Sequence, residues 1–275
     1  MKNILLLLGL LYSFTALAQS KQSLKFDRQA IYKMTYQIDS TNKSSIKEEY
    51  MELLLNDSLS LFESITKRRI DSLELLRIMN ENYRIASLPY SYFHYQVLKQ
   101  NNANAIITFD VLDNETSYRG PNHYYYTEDK ESFQWEIKED TLKINNLLCQ
   151  KAEVDFGNRK WVAWFTTEIP ISDGPYKFSG LPGLIVKIND TENFWNFELV
   201  RLEPTSKVIT INFKEDKQPV LTTKREFLAN KKHYRENSLQ IKEMYGFKII
   251  SGRSEMQKSA NDFNKSHNNW IEMPF

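Results

Sequence analysis

The chain holds one cysteine, eight glycines, eight prolines and four histidines in 275 residues, and its formal net charge is only +1. A lone Cys149 excludes an internal disulfide, so stability has to come from packing even in an oxidising compartment. Its neighbours are Leu147, Leu148 and Gln150, and a free thiol in such a setting reads as a buried structural side chain rather than a nucleophile. His94, His123, His233 and His267 lie far apart and form no His-x-His, His-x3-His or Glu-x2-His spacing, which leaves a dedicated zinc site without support. The few glycines form no Gly-x-Ser-x-Gly elbow, Walker loop or Gly-x-Gly-x2-Gly fingerprint. Serine-hydrolase, nucleotide and dinucleotide chemistries therefore lose their usual footholds, and no cofactor and no metal are expected. A balanced charge gives the whole chain no electrostatic reason to seek nucleic acid or an anionic membrane. The short basic runs Lys67-Arg68-Arg69 and Lys231-Lys232 are expected to be solvated helix faces. The adjacent acids Glu48-Glu49 and Glu139-Asp140 point to opposite faces of a strand and are likewise expected in solvent.

What is present starts with a leader. Lys2 supplies a charged start, residues 4–18 an uninterrupted run without charge, and Ala16-Leu17-Ala18 a small-x-small processing site. Residues 1–18 are thus expected to be a signal peptide cleaved after Ala18, and the mature protein to be exported, periplasmic or extracellular. The run is shorter than the roughly 20 apolar residues that span a bilayer, so no transmembrane segment is expected once it is removed. No cysteine stands at the processing site to accept a lipid. Removal takes away Lys2 and no acid, which brings the formal net charge to zero. With 41% hydrophobic and 13% aromatic residues, the remainder has the composition of a folded globular chain rather than a disordered one.

Periodicity of two dominates. Ile31, Tyr32, Met34, Tyr36 and Ile38 alternate with polar residues, and strands 51–55 and 58–65 follow around Asn56-Asp57, a turn pair. Strands are predicted again over 92–99, 105–112, 123–127 and 133–139, with turn signals at Asn101-Asn102, Asp113-Asn114 and Arg119-Gly120-Pro121. Over 148–156 the side chains of Leu148, Gln150, Ala152, Val154 and Phe156 share one face, and Gly157-Asn158 turns the chain into Trp161, Ala163 and Phe165. Strands 184–189, 194–202 and 208–213 complete the series. So many consecutive strands without helices between them predict a mainly β, β-rich α+β fold: an antiparallel meander forming a curved or half-barrel sheet. The period changes to three or four in two places. Ile70, Leu73, Leu76, Met79 and Tyr83 predict a helical insertion over 67–85. Phe227, Leu228, Tyr234, Ile241, Met244 and Tyr245 predict a C-terminal helix from Lys224 that Gly246 ends. Residues 19–250 are expected to form a single domain, and 251–275 a polar, flexible tail whose Trp270-Ile271 either docks or stays loose.

One segment, residues 174–185, concentrates backbone-determining residues. Pro170, Pro175 and Pro182 do not suit a strand interior, and Leu181-Pro182-Gly183 suits a type II turn with glycine at its third position. Together with Cys149-Gln150-Lys151-Ala152, Arg159-Lys160-Trp161, Trp164-Phe165-Thr166, Glu168-Ile169-Pro170 and Gly174-Pro175, the six residues 180–185, GLPGLI, resemble the signature of the GLPGLI family of exported Bacteroidetes proteins. That resemblance implies export and no assigned activity, and it is concentrated in residues 140–190. Gly174, Pro175, Phe178, Gly180, Leu181, Pro182, Gly183, Leu184 and Ile185 are the candidate motif residues. They serve either as a preordered partner-binding loop or as a plug of one end of the sheet core. Lys177, the one charge within residues 174–185, is expected in solvent, Trp161 in the core, and Arg159 stacked on an indole across the turn.

Two classes of function follow. In the first the protein is a non-enzymatic envelope protein that binds a lipid or other apolar ligand, or a protein partner. The order of strands and then helix loosely resembles that of periplasmic lipoprotein carriers of the Lol type, which implies an apolar cavity between sheet and helix. In the second it is an envelope hydrolase with a dispersed site, for which His123, Glu168 or Asp173 beside a serine would be the sign. A role as accessory partner of an outer-membrane receptor requires residues 174–185 to be exposed.

Overall fold

Alternation of apolar and polar residues along ten-residue strands makes a sheet that can bury one face completely. In the computed structural model, which describes residues 22–80, 91–112, 123–211 and 218–273, those strands form one open, curved sheet of twelve. The expected leader, Tyr83 of the expected helical insertion, the turn signals Asp113-Asn114 and Arg119-Gly120-Pro121, and Phe213 lie outside these described residues. There are fourteen described strands, of which β1 and β13 pair as a separate ribbon: β1 (Gln22–Lys25), β2 (Arg28–Gln37), β3 (Ile46–Leu55), β4 (Leu59–Ser64), β5 (Gln96–Gln100), β6 (Ala105–Val111) and β7 (His123–Asp129). The second half adds β8 (Glu136–Ile144), β9 (Leu147–Phe156), β10 (Arg159–Thr166), β11 (Leu184–Asp190), β12 (Trp195–Pro204), β13 (Val208–Ile211) and β14 (Val220–Leu221).

The sheet is two meanders joined in the middle. From β2 the chain steps outward strand by strand to β7, crosses to the opposite edge at β8, and steps back to β12, which pairs with β2. Phe197 faces Met34 and Leu199 faces Tyr32 across that seam. All these pairings are antiparallel; short β14 adds to β7 in parallel at the other edge. Turn chemistry sets the hairpins. Asn145-Asn146 and Gly157-Asn158 both have two consecutive positive φ values, the geometry that matches strand twist in two-residue hairpins. Asn56 accepts hydrogen bonds from the Ser58 and Leu59 amides at 2.8 and 2.9 Å and so holds the β3–β4 turn.

One face carries the main core: Tyr32, Met34 and Tyr36 of β2, Met51, Leu53 and Leu55 of β3, Phe62, Val97, Ala163, Phe165 and Phe197 are all buried in it. The other face of the first meander buries Leu54, Leu61, Leu98 and Ile107 under Leu24 and Phe26, which belong to the β1–β13 ribbon and its exit. In β9 the inward set shifts phase: Cys149 is buried and Leu148 exposed, whereas Ala152 and Val154 are buried further along. Strict alternation over 148–156 therefore fails at its first residue.

Helix α1 (Ile65–Met79) takes the place of the helical insertion, capped by Ser64 Oγ on the Lys67 amide at 3.0 Å. Its anchor is electrostatic. Arg68 pairs with Glu52 and Glu63, both buried, and Lys207 also reaches Glu52. The predicted C-terminal helix is two: α2 (Lys224–Glu236), opened by a Thr223/Glu226 capping box, and α3 (Ser238–Met244), divided from it at Asn237. Residues read as a polar tail form a third helix here, α4 (Arg253–Ser266), followed by a strap that docks. Asn269 is buried and donates to the Gln37 carbonyl at 2.7 Å, and the Met273 amide donates to the Gly157 carbonyl at 3.0 Å.

Candidate functional site

The connection from β10 to β11 crosses the main core, and its path follows from its glycines and prolines. The Leu184 amide bonds the Ile169 carbonyl and the Ile185 amide the Asp173 carbonyl, both at 3.0 Å, so the segment folds back on itself before entering β11. Gly183 is not at positive φ, and the expected type II turn is not what requires it; a Cβ there would run into the Thr166 carbonyl. Gly180, at φ +95°, supplies the left-handed step instead. Of the nine candidate motif residues only Gly180 and Pro182 are exposed. Gly174, Pro175, Phe178, Leu181, Gly183, Leu184 and Ile185 are buried. A contact surface made from this segment's apolar side chains does not exist in the fold, because those side chains fill the sheet's interior.

Phe178 shows why. Its ring lies 4.7 Å from Trp161, 5.6 Å from Phe133 and 5.6 Å from Phe156, centroid to centroid, within the range of favourable aromatic pairs. Trp135 closes the outside by donating its indole N–H to the Ser179 carbonyl at 2.8 Å. Trp161 is core, as expected, and donates to the Phe156 carbonyl. Full burial of an aromatic side chain of this size contributes about 1.5–3 kcal/mol.

Lys177 is not solvated. It is fully buried, and its Nζ lies 2.5 Å from Glu272 Oε1, with Glu128 paired to it and the Tyr126 hydroxyl at 3.1 Å. Lys224, the first residue of α2, pairs with the same two carboxylates, at 2.6 Å from Glu128 Oε1. Burial works against the Lys177 ammonium, but Glu272 and Glu128 overcome it and raise its pKa above the ordinary lysine value. Burial likewise works against the Glu272 carboxylate, yet Lys177 and Lys224 hold it down to about 2. Desolvation first, and then the Glu272 charge, push the Tyr176 phenol well up. Tyr176, which donates to Glu272, stays a neutral donor at any working pH.

A second buried charge ties the start of the segment. Lys99 of β5 pairs with Asp173 and donates to the Gly174 carbonyl at 2.6 Å, while Ser60 Oγ donates to Asp173 Oδ2 at 2.6 Å. Desolvation lowers the Lys99 pKa, with Asp173 acting in opposition. Tyr32 completes the tie with a hydrogen bond to the Ile185 carbonyl at 2.8 Å. Arg159 pairs with Asp190 at 2.8 Å and bonds the Trp270 carbonyl at 3.0 Å, so it secures the C-terminal strap instead of stacking on an indole. Its guanidinium lies 5.8 Å from the Phe194 ring centroid.

Asp173 thus has a serine beside it, one element of the hydrolase sign. Ser60, Asp173 and Lys99 are all buried, however, and the hydroxyl donates its hydrogen bond to a carboxylate already paired with Lys99. Glu168 is employed elsewhere, accepting the Leu148 amide at 2.8 Å, and His123 opens β7. Glu49, expected in solvent, is buried and accepts from Ser64 and Ser91; desolvation raises its pKa despite those donors. Cys149 is buried, and desolvation raises its thiol pKa, opposite to what a nucleophile needs. Among the described residues no cluster of three or more His, Cys, Asp or Glu is placed to hold a metal ion. No described helix is long and apolar enough to cross a membrane.

Residues 153–187, which include the GLPGLI sequence, match a family model described as a protein of unknown function, Porph_ging. No curated protein matches the chain. Among solved structures, PNGF-II in two crystal forms has a similar fold, with TM-scores of 0.50 and 0.51 at 11% identity, over 77% and 76% of this chain. The match covers 34% of the PNGF-II chain in each case, so this chain spans about a third of that protein's length.

Proposed function

We propose that this chain is an exported, non-enzymatic protein of the cell envelope that acts by binding a partner at its surface. The observation that carries the reading is the fate of the signature segment. Its apolar side chains are core, and its one charge, Lys177, is neutralised in a buried pair, as is Asp173 just before it. A segment built this way locks a scaffold; it offers no group to a substrate. The reading puts the binding surface elsewhere on the molecule, and it ranks surface binding above carriage of an apolar ligand. Where a carrier would keep space between sheet and helix, Phe227 and Leu228 of α2 pack on Tyr126, and the Tyr126 and Phe227 rings are 5.5 Å apart. Export rests on the leader in residues 1–18.

The test is native mass spectrometry of the protein recovered from the envelope of an exporting host. A mass equal to that of residues 19–275, with no bound small molecule, is the expected result. One lipid per chain, retained through gentle desalting, would establish the carrier instead, and a mass that includes residues 1–18 would remove the case for a processed exported protein.

A further inference from the structure

Among the described residues, a run of uncovered apolar side chains lies where α3 gives way to α4. Met244 is 78% exposed and Ile250 97%, with Tyr245, Phe247 and Met256 exposed beside them in sequence. Most proteins keep such residues scattered, and a run of them at one turn marks a place where something binds. The turn is ordered. Gly246 is left-handed, its amide bonds the Glu243 carbonyl at 2.9 Å, and the Phe247 amide bonds the Lys242 carbonyl at 3.0 Å, the paired bonds of a Schellman end. Arg253 at the start of α4 grips Glu243 at the end of α3 with two hydrogen bonds of 2.9 and 2.8 Å, closing the loop at its base. The apolar tip is therefore held out on a braced support.

We propose that this tip, Met244, Tyr245, Phe247 and Ile250, inserts into the interfacial layer of an anionic lipid bilayer, with Lys248 and Lys258 against the headgroups. The inference rests on the exported, surface-binding reading above and names the partner. Three features select a bilayer over another protein. Ile250, 97% exposed, stands clear of the surface, so the tip is convex there, and with the less exposed Met244, Tyr245, Phe247 and Met256 it falls short of the roughly 800 Å² per partner of a stable protein interface. A bilayer requires no complementary shape, only apolar side chains at the acyl boundary and an aromatic with a polar end, which Tyr245 provides. The charge is also right. Over residues 242–262 Lys242, Lys248, Arg253 and Lys258 outnumber Glu243, Glu255 and Asp262 by one, with Arg253 paired to Glu243. The chain-wide charge balance does not oppose this, because headgroup attraction is a local matter within a Debye length.

The experiment is co-sedimentation of the exported protein with vesicles of equal parts phosphatidylethanolamine and phosphatidylglycerol, and with vesicles of phosphatidylcholine. Wild type is expected to pellet with the anionic vesicles and much less with the neutral ones. F247S/I250S should weaken partitioning by about tenfold or more, since each side chain loses its apolar transfer energy. K248E/K258E should remove the preference for anionic lipid. Both variants alter exposed side chains, and their circular dichroism should match wild type. Failure of wild type to pellet with either vesicle, or pelleting of F247S/I250S equal to wild type, overturns the proposal. So does a concentration-dependent dimer that the same variant abolishes, which would assign the tip to a second copy. These outcomes are separate from the mass measurement, which alone decides whether the chain carries a ligand.

Discussion

Lys177 and Glu272 are the residues on which the signature segment turns. A buried ammonium or carboxylate without its partner costs several kcal/mol, so each is stable only because the other is there. Glu272 has an ordinary value of 4.5 and a folded value of about 2. Its contribution is fully present above pH 4.5 and is lost as the pH falls through 2, because protons then bind the unfolded chain more readily than the folded one. The variant Glu272→Gln is expected to lose about 3–5 kcal/mol at neutral pH, since Lys177 keeps only Glu128 as a carboxylate partner. Urea unfolding followed from pH 7 to pH 2 checks both parts. The wild-type curve should fall over the lower half of that range, and the variant should start lower and fall less steeply. Equal stability of the two proteins at pH 7 would show that the cluster is not what holds the segment.

At the scale of elements, the unexpected parts are α4 and the strap after it. Met256, Ala260 and Phe263 stand at helical spacing in α4, but the polar residues around them hide the pattern. The strap has no periodicity at all; it is positioned by Asn269 on Gln37, Arg159 on the Trp270 carbonyl and Glu272 on Lys177. Truncation after Ser266 is expected to uncover Lys177 and to raise hydrogen exchange at the amides of Tyr176, Phe178 and Ile185, with a lower unfolding midpoint. Unchanged protection of those amides would mean that the strap merely lies on the surface. The same elements show what could be read from the sequence and what could not. Strands β2, β9 and β10, the turn at Gly157-Asn158 and the end of α3 at Gly246 were legible because alternation and turn chemistry act over a few residues. The setting of Lys177 was not, because Glu128 is 49 residues away and Glu272 is 95. The one local sign was a lone charge between Tyr176 and Phe178, in a run that is otherwise apolar. For β12 beside β2, no local pattern specifies which strand a return meander will meet.

At the scale of the molecule, the main core runs continuously from Tyr36 and Met51 of the first meander to Cys149 and Trp161 of the second. Access to Cys149 therefore reports on the whole sheet. In native protein a maleimide is expected to leave the thiol unmodified, and labelling should begin at the same urea concentration at which tryptophan fluorescence changes. Labelling well before that point would mean that the second meander opens alone.

The seam between β12 and β2 has a kinetic meaning as well. Each meander pairs neighbours in sequence, and such contacts form early, but the seam joins Tyr32 to Leu199, far apart along the chain. On a chain that emerges from its N-terminus, β2 to β7 are complete while the inner edge of β2 still lacks its partner. That edge carries Tyr32, Met34 and Tyr36, and until β12 arrives it is an open template for the wrong strand. Closing the seam is thus expected to be the slow step of folding, and it is the interval in which a newly made chain is most exposed to mispairing.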